Sequence, residues 1–240
     1  MNSWTRFFIL VSLVYIAVES REVLADGAVV DKIYHPYVEQ LEREVEWRAS
    51  FEEGIDGVID ARQVHKLGFG SALTEYWFGE IYLIGEKTSA QGFDIEAVEI
   101  EARWQLSEQG EYAVDWGLLF EIENEFDEDI WELATKLLVE KEWGRFSHTA
   151  NVSFIYEWGE DIHNEFETGL ALQSRYRYSP YFEPALEFHA GQDTRSLGPA
   201  ILGSVPLDVG RRLRWEAGLS FALDGESADH TLRLALEYEF

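Results

Sequence analysis

The fold is decided by the last twelve residues of the chain, which read DHTLRLALEYEF from Asp229 to Phe240. A strand turns successive side chains to opposite faces, so this stretch has two different sides when it is extended. One side carries Leu232, Leu234, Leu236, Tyr238 and Phe240, and the other carries Arg233, Ala235, Glu237 and Glu239. The stretch therefore predicts a β-strand with one apolar face and one mostly charged face.

The same period of two recurs along the chain. In the clearest internal case, Val98, Ile100, Ala102, Trp104 and Leu106 alternate with Glu99, Glu101, Arg103 and Gln105. We count twelve such segments, the first from about residue 37 to residue 51 and the last ending at Phe240. The facing of the second (residues 61–73), third (residues 75–86) and tenth (residues 197–205) segments is ambiguous. The pairing of the tenth (residues 197–205) is doubtful, because Pro199 removes a ladder donor.

The closing strand resembles that of Gram-negative outer-membrane β-barrels, whose final residue is typically Phe and whose alternate positions are apolar or aromatic. The resemblance implies an all-β fold, a transmembrane antiparallel up-and-down barrel of twelve strands over residues 26–240, in the bacterial outer membrane. In that family the last strand is also the assembly signal. This assigns Tyr238 and Phe240 to recognition by the barrel-assembly machinery. The resemblance covers the whole mature chain as a pattern and identifies no subfamily.

Physical arguments agree with this fold. Most segments are long enough for a tilted membrane-spanning strand, which needs about 9–11 residues. An even strand number places both chain ends on the periplasmic side, and closure satisfies every backbone hydrogen bond in lipid. A soluble lipocalin-like barrel is the alternative, but it would keep its apolar stripe inside and would have little use for so many charges on the other face.

The amino end predicts a secretory signal. Residues 1–6 carry one positive charge, and Phe7 to Val18 is a run of apolar and small residues that is too short to span a bilayer as a helix. We expect cleavage after Ala25, which makes residues 1–25 a signal peptide; an uncleaved anchor is the alternative. Residues 26–36 are then expected to be a periplasmic lead that precedes the first strand.

Composition narrows the functional classes. The formal net charge is −27, which argues against nucleic-acid binding because phosphate contacts require clustered Lys and Arg. The chain has no cysteine, so disulfides and thiolate chemistry are excluded. Nine Trp beside 27% charged residues fit a barrel that meets lipid on its outer face and water on its inner face.

The charged faces of the predicted strands would line the barrel lumen. The predicted lining residues are Glu42, Glu44, Glu46, Arg48, Glu99, Glu101, Arg103, Glu121, Glu123, Glu132, Lys136, Glu140, Glu165, Glu167, Arg175, Arg177, Glu187, Arg212, Arg214 and Arg233. Carboxylates with a minority of basic groups predict a wet pore for small cationic or neutral solutes. The alternative is a structural or interaction barrel, whose interior is filled by side chains that pair across it.

The resemblance bears on substrates as well. Several twelve-stranded barrels pass acidic sugars through arginine-rich lumens, and the excess of Glu over Arg here argues against such a substrate. A membrane-embedded hydrolase is a third hypothesis. The six histidines are dispersed, and neither a G-x-S-x-G elbow nor an H-E-x-x-H zinc motif is present. We therefore expect no catalytic residue, metal site or cofactor.

Overall fold

The computed structural model of the chain describes residues 30–53, 62–88, 92–126, 129–160, 162–192, 194–225 and 227–240. The predicted signal peptide, residues 1–25, lies outside this part of the chain. Within the described residues, no helix has the length and apolar character needed to cross a membrane.

Twelve β-strands make up the fold. They are β1 (Arg43–Glu53), β2 (Arg62–Ala72), β3 (Trp77–Lys87), β4 (Asp94–Gln105), β5 (Asp115–Glu125), β6 (Trp131–Trp143), β7 (Phe146–Trp158), β8 (Glu165–Tyr176), β9 (Glu183–Ala190), β10 (Arg195–Asp208), β11 (Arg211–Ala222) and β12 (His230–Glu239). Each strand pairs with the next in sequence, and β12 pairs with β1 to close the ring.

The closing seam is continuous and antiparallel. It runs from Glu44 opposite Glu239 to Glu53 opposite His230, with Trp47 opposite Leu236. The predicted all-β, twelve-stranded, antiparallel up-and-down barrel is therefore confirmed. We call the end of the barrel where β1 begins and β12 ends the lower rim, and the opposite end the upper rim.

The barrel is apolar outside and polar inside. Leu67, Ile81 and Ile100 point outward and are each about half exposed, whereas Glu46 and Glu101 point inward and are 1% exposed. Aromatic rings stack on the outer face, for example Trp77 on Trp104 with ring centroids 5.1 Å apart. Because an outer face of this kind is stable only against hydrocarbon, the strands belong in a lipid bilayer.

The tenth segment forms strand β10 and pairs with both neighbours, so the doubt about its pairing is wrong. Pro199 pairs with Leu186 of β9 and is exposed on the outer face. Leu197 and Ala200 still pair with β11, on either side of the missing proline donor. The wall therefore tolerates one lost ladder bond, because its neighbours hold the strand in register.

The facing of the third segment is settled by burial. Phe78, Glu80, Tyr82 and Ile84 of β3 are buried, and Ile81 between them is exposed on the outer face. The strand thus turns an aromatic pair inward, which the ambiguous pattern of the sequence did not reveal.

The first strand begins later than predicted. It starts at Arg43, and Leu41 has a φ of 65°, in the left-handed region that breaks an extended chain. The predicted start near residue 37 is therefore wrong, because a turn separates residues 37–41 from β1.

Residues 30–38 lie inside the barrel, and we call them the inner segment. Val30, Ile33 and Tyr34 are 5%, 2% and 1% exposed, and the segment is hydrogen-bonded to side chains of the inner wall. The expectation of a lead outside the barrel is therefore wrong for residues 30–36, while residues 26–29 lie outside the described part. The cause is tertiary, since the segment finds its partners on distant strands.

Glycines of β2 make room for the inward rings of β3. Gly68 pairs directly with Tyr82, and a Cβ atom on Gly68 would lie 2.2 Å from the Tyr82 ring. Gly70 similarly leaves space for the Phe78 ring, at 2.6 Å from the position of a Cβ atom. These small residues let two large rings enter a lumen that a uniform wall would crowd.

We predict that Gly68→Ala destabilises the barrel by about 1–3 kcal/mol, the usual cost of overpacking a filled interior. The added methyl would push the Tyr82 ring away from its partners. The readout is the temperature at which the folded band shifts to the unfolded position on SDS gels. Gly92→Ala is the control, because a Cβ atom there meets nothing within 4 Å. Equal temperatures for both variants would contradict the prediction.

Candidate functional site: the barrel lumen

The structure places the predicted lining residues on the inward side of the alternation. Nine of them are at most 6% exposed, namely Glu44, Glu46, Arg48, Glu99, Glu101, Glu121, Glu140, Glu187 and Arg233. Glu237 of β12, which the prediction did not include, is also 6% exposed. The others are half-buried, namely Glu42, Arg103, Glu123, Glu132, Lys136, Glu165, Glu167, Arg175, Arg177, Arg212 and Arg214. The lumen wall is therefore dense in charge.

The inner segment is held by its backbone. The side-chain amide of Asn151 in β7 accepts a hydrogen bond from the Tyr34 N–H at 2.7 Å and donates one to the Tyr34 carbonyl at 2.9 Å. Nearer the lower rim, the Gln105 side-chain oxygen accepts a hydrogen bond from the Val38 N–H at 2.8 Å. Two wall amides thus satisfy backbone groups that would otherwise be buried without partners.

Tyr34 fills the centre of this arrangement. Its hydroxyl donates to Glu101 Oε1 at 2.6 Å and accepts from Arg48 Nη1 at 2.6 Å. Its ring packs with Leu119 of β5 and Leu138 of β6, the two aliphatic side chains that face inward beside it. The Tyr34 ring therefore packs against apolar side chains, and its hydroxyl is hydrogen-bonded to charged ones.

Opposite charges fix the upper part of the inner segment. Lys32 Nζ lies 2.9 Å from Glu46 Oε1 and 3.2 Å from Glu237 Oε2, which joins β1 to β12. Both partners are carboxylates, so the buried lysine meets opposite charge on two strands of the wall.

Asp31 is held in the same way on the other side. Its Oδ2 atom lies 3.4 Å from Arg48 Nη1 and 3.6 Å from Lys66 Nζ of β2. Both partners are cationic, so the Asp31 carboxylate meets opposite charge on β1 and β2. The adjacent residues Asp31 and Lys32 therefore dock as two opposite charges on two oppositely charged parts of the wall.

The lower part of the inner segment is anchored to β5 and β6. His35 Nδ1 lies 2.5 Å from Glu140 Oε2, and the Tyr37 hydroxyl donates to Asp115 Oδ2 at 2.8 Å. Between them, Pro36 lies against Gly117, where a Cβ atom would be 2.9 Å from Pro36 Cβ. The wall is thus complementary to the inner segment in shape at Gly117 and in polar contacts at Glu140 and Asp115.

Tyr82 is a lumen residue that the sequence analysis missed. Its hydroxyl accepts from Arg48 Nη2 at 2.5 Å, lies 2.7 Å from Glu46 Oε2 and also contacts Glu80. The Arg48 guanidinium stacks on the Tyr82 ring at 4.6 Å from its centroid. The signal that could have found it is Glu80, two residues earlier on the same face, since a carboxylate in an apolar strand marks the inward side.

The other half of the lumen is closed by side chains of the wall itself. Arg233 of β12 donates to both oxygens of Glu187 of β9, at 2.8 and 3.0 Å, and passes over the two strands between them. Gly218 of β11 provides the space for this ion pair, because a Cβ atom there would lie 3.1 Å from Glu187 Oε2. Gln173 completes the group by donating to Glu187 at 2.8 Å.

A serine, a histidine and a carboxylate meet in this half. Ser196 is directly opposite His189 in the β9–β10 pairing, and Glu187 precedes His189 on the same inner face. The Ser196 hydroxyl and both ring nitrogens of His189 are buried without hydrogen-bond partners among the described residues. The hydrogen bond that would activate a serine nucleophile is therefore not formed.

Carboxylates of β1 and β3 also cluster in the lumen. Oxygen atoms of Glu44, Glu46 and Glu80 lie within 4.8 Å of one another, a spacing that could hold a cation. Glu46, however, already has Arg48 Nε at 2.9 Å and Lys32 at 2.9 Å. The positive charge beside this cluster thus comes from the wall and from the inner segment.

Together these contacts tie the inner segment to seven strands, namely β1, β2, β4, β5, β6, β7 and β12. The chain has no cysteine, so the segment is joined to the wall covalently only through residues 39–42, which lead into β1. Most of the contacts named above are polar. The inner segment therefore occupies the part of the lumen that these strands surround.

No protein-family model matches the sequence, and no curated protein matches it either. Solved structures do match the fold. An outer-membrane channel from Pseudomonas putida F1 aligns with a TM-score of 0.58 at 12% identity, covering 88% of this chain and all of that one. The KdgM porin, in complex with disordered oligogalacturonate, aligns with a TM-score of 0.54 at 10% identity, covering 82% of this chain and 99% of that one. By its fold, the chain is a β-barrel of the bacterial outer-membrane type.

Proposed function

We propose that the protein is a passive outer-membrane channel whose lumen is occupied by the inner segment. The observation that carries this proposal is the segment itself, which lies within a closed barrel and is held by separable polar contacts. Structural relatives that are channels and porins support a transport role. Displacement of the inner segment would open a water-filled path through the bilayer.

We further propose that the open lumen prefers small cationic or neutral solutes. The predicted lining set has twelve carboxylates and eight basic groups. The inner segment contributes Asp31 and Lys32, whose charges cancel, so its departure leaves the acidic excess of the wall. Carboxylates that line a narrow pore attract cations and repel anions. The wall is therefore less suited to an anionic ligand. Oligogalacturonate, which is bound in the KdgM porin complex, is such a ligand.

A structural or interaction barrel is the second candidate. It is favoured by the filled half of the lumen, where Gln173, Glu187 and His189 are at most 3% exposed. If this packing and the inner segment both stay in place, the barrel conducts nothing. The two candidates thus differ in whether the inner segment can leave.

A disulfide between the inner segment and the wall tests the gate. The chain has no native cysteine, and Pro36 and Gly117 are in contact. The Cβ atoms of a disulfide lie about 3.8 Å apart, so a small shift suffices for Pro36→Cys with Gly117→Cys. In planar bilayers we expect unitary currents from the reduced double variant and none after oxidation.

The two single-cysteine variants are the controls and should conduct under both conditions. Currents that oxidation leaves unchanged in the double variant would show that the inner segment is not the gate. No current from the reduced double variant or from the controls, with folded barrels on SDS gels, would favour the structural barrel.

Ion preference is tested by reversal potentials in a salt gradient. We expect a sign that indicates cation preference, and we expect Glu132→Gln, Glu165→Gln and Glu167→Gln together to reduce it, because three lumen carboxylates are lost. Glu75→Gln, Glu108→Gln and Glu111→Gln together are the matched control, since these three are exposed in turns at the lower rim. A potential that indicates anion preference in the unaltered protein would contradict the proposal.

We also propose that the end of β12 is read by the barrel-assembly machinery. Tyr238 and Phe240 stack on the outer face, with ring centroids 5.7 Å apart, and the Phe240 N–H donates to the Arg43 carbonyl at 2.8 Å. The rings thus stand at the seam that closes last if the strands add in order. Both are available to a partner that pairs with this strand before β1 does.

For this assembly role, we predict that Phe240→Ala lowers the amount of folded protein in outer-membrane fractions by about tenfold, while refolding into detergent micelles is nearly unaffected. Recognition would be lost, but only one exposed ring would be removed from the barrel. Phe126→Ala is the control, since Phe126 is similarly exposed near the upper rim. Equal membrane levels for the two variants would count against the assembly role.

A further inference from the structure

The lumen wall contacts the inner segment in the way that a protein contacts a bound peptide. Asn151 makes a two-point contact with the N–H and carbonyl of Tyr34, and Gln105 accepts from the Val38 N–H. Such contacts recognise the backbone and do not depend on the side chains of the occupant. They would serve any extended chain that ran along the same wall.

Side-chain contacts add a chemical pattern. The wall offers Glu46 and Glu237 to a lysine, and it offers Glu101, Arg48 and an aliphatic floor to a tyrosine two residues later. Glu140 contacts the imidazole that follows the tyrosine. Lysine, tyrosine and histidine are thus each met by a group of complementary chemistry.

Shape supports the same reading. Gly117 leaves the wall flat where Pro36 passes, with its virtual Cβ atom 3.0 Å from Pro36 Cα. Several of the wall groups that contact the segment are themselves more than nine-tenths buried, including Asn151, Glu46 and Glu101. Such groups are costly to leave without partners, so a polar occupant that meets them is favoured over an apolar one.

We propose that the lumen is a binding site for an extended peptide with a lysine two residues before a Tyr-His pair, and that the inner segment is its resident, exchangeable occupant. This inference rests on the proposed function, because exchange requires the segment to leave the wall. A peptide of this chemistry, added separately, then occupies the same contacts and closes the same path. The lumen is thereby regulated by competition between a tethered peptide and a free one.

Tethering predicts which protein will bind the free peptide. A tethered ligand competes at an effective concentration on the order of millimolar, so the unaltered chain binds added peptide poorly. Lys32→Glu with Tyr34→Ala weakens the resident segment and leaves every wall residue in place. This full-length variant is expected to bind the added peptide about tenfold more tightly than the unaltered chain.

The probe is a fluorescent synthetic peptide with the sequence of residues 26–38, DGAVVDKIYHPYV, and the readout is fluorescence anisotropy in detergent. Saturable binding is expected for the Lys32→Glu, Tyr34→Ala variant. Binding should fall about tenfold when Asn151→Leu is added, because both backbone contacts are lost. A peptide of the same composition in which the lysine and the tyrosine exchange places is the control ligand.

The outcomes separate this inference from the channel proposal, since anisotropy requires no current. Saturable binding without conductance in any variant would leave the peptide site standing and overturn the channel. Conductance that the peptide neither blocks nor reduces, with no saturable binding, would overturn the peptide site alone. Equal binding of the exchanged peptide, or binding that Asn151→Leu leaves unchanged in a folded barrel, would also overturn it.

Discussion

The whole structure depends on the hydrogen-bonded seam between β1 and β12. A strand in hydrocarbon has no water to satisfy its N–H and carbonyl groups, so every such group must find a partner within the protein. The seam gives the first and last strands those partners and leaves no edge. Once the ring is closed, alternation forces each strand to turn one set of side chains to lipid and the other to the lumen.

Closure creates an electrostatic problem inside the barrel. Carboxylates such as Glu46, Glu101 and Glu187 lose most of their contact with water, and a desolvated charge is costly unless a partner is close. In one half of the lumen the partners come from the inner segment and its neighbours, with Lys32 beside Glu46. In the other half Arg233 Nη2 donates to both oxygens of Glu187, and Gln173 donates to one of them. The inner segment is therefore an electrostatic component of the barrel as well as an obstacle in it.

Small residues decide where large ones can go. Gly68 admits the ring of Tyr82, Gly117 admits the inner segment, and Gly218 admits the bridge from Arg233 to Glu187. Each glycine faces the lumen on a strand beside a bulky group, so the inner surface interlocks at these positions. Passage of a solute would thus depend on moving a few specific groups, of which the inner segment is the one without a place in the sheet.

The sequence by itself determined the number of strands and the facing of most of them. Alternation is local, because a backbone of period two exposes Glu99 and Glu101 on one face wherever the strand is placed. A positive φ at Leu41 and the register around Pro199 were beyond its reach, since both depend on neighbouring chain.

Only the tertiary structure decided what fills the lumen. Tyr34 is hydrogen-bonded to Glu101 and Asn151, which are 67 and 117 residues away in sequence. No local pattern marks residues 30–38 as the occupant of a barrel that does not exist until β12 meets β1. Local periodicity therefore built the wall, and long-range pairing of charges and backbone amides placed the inner segment within it.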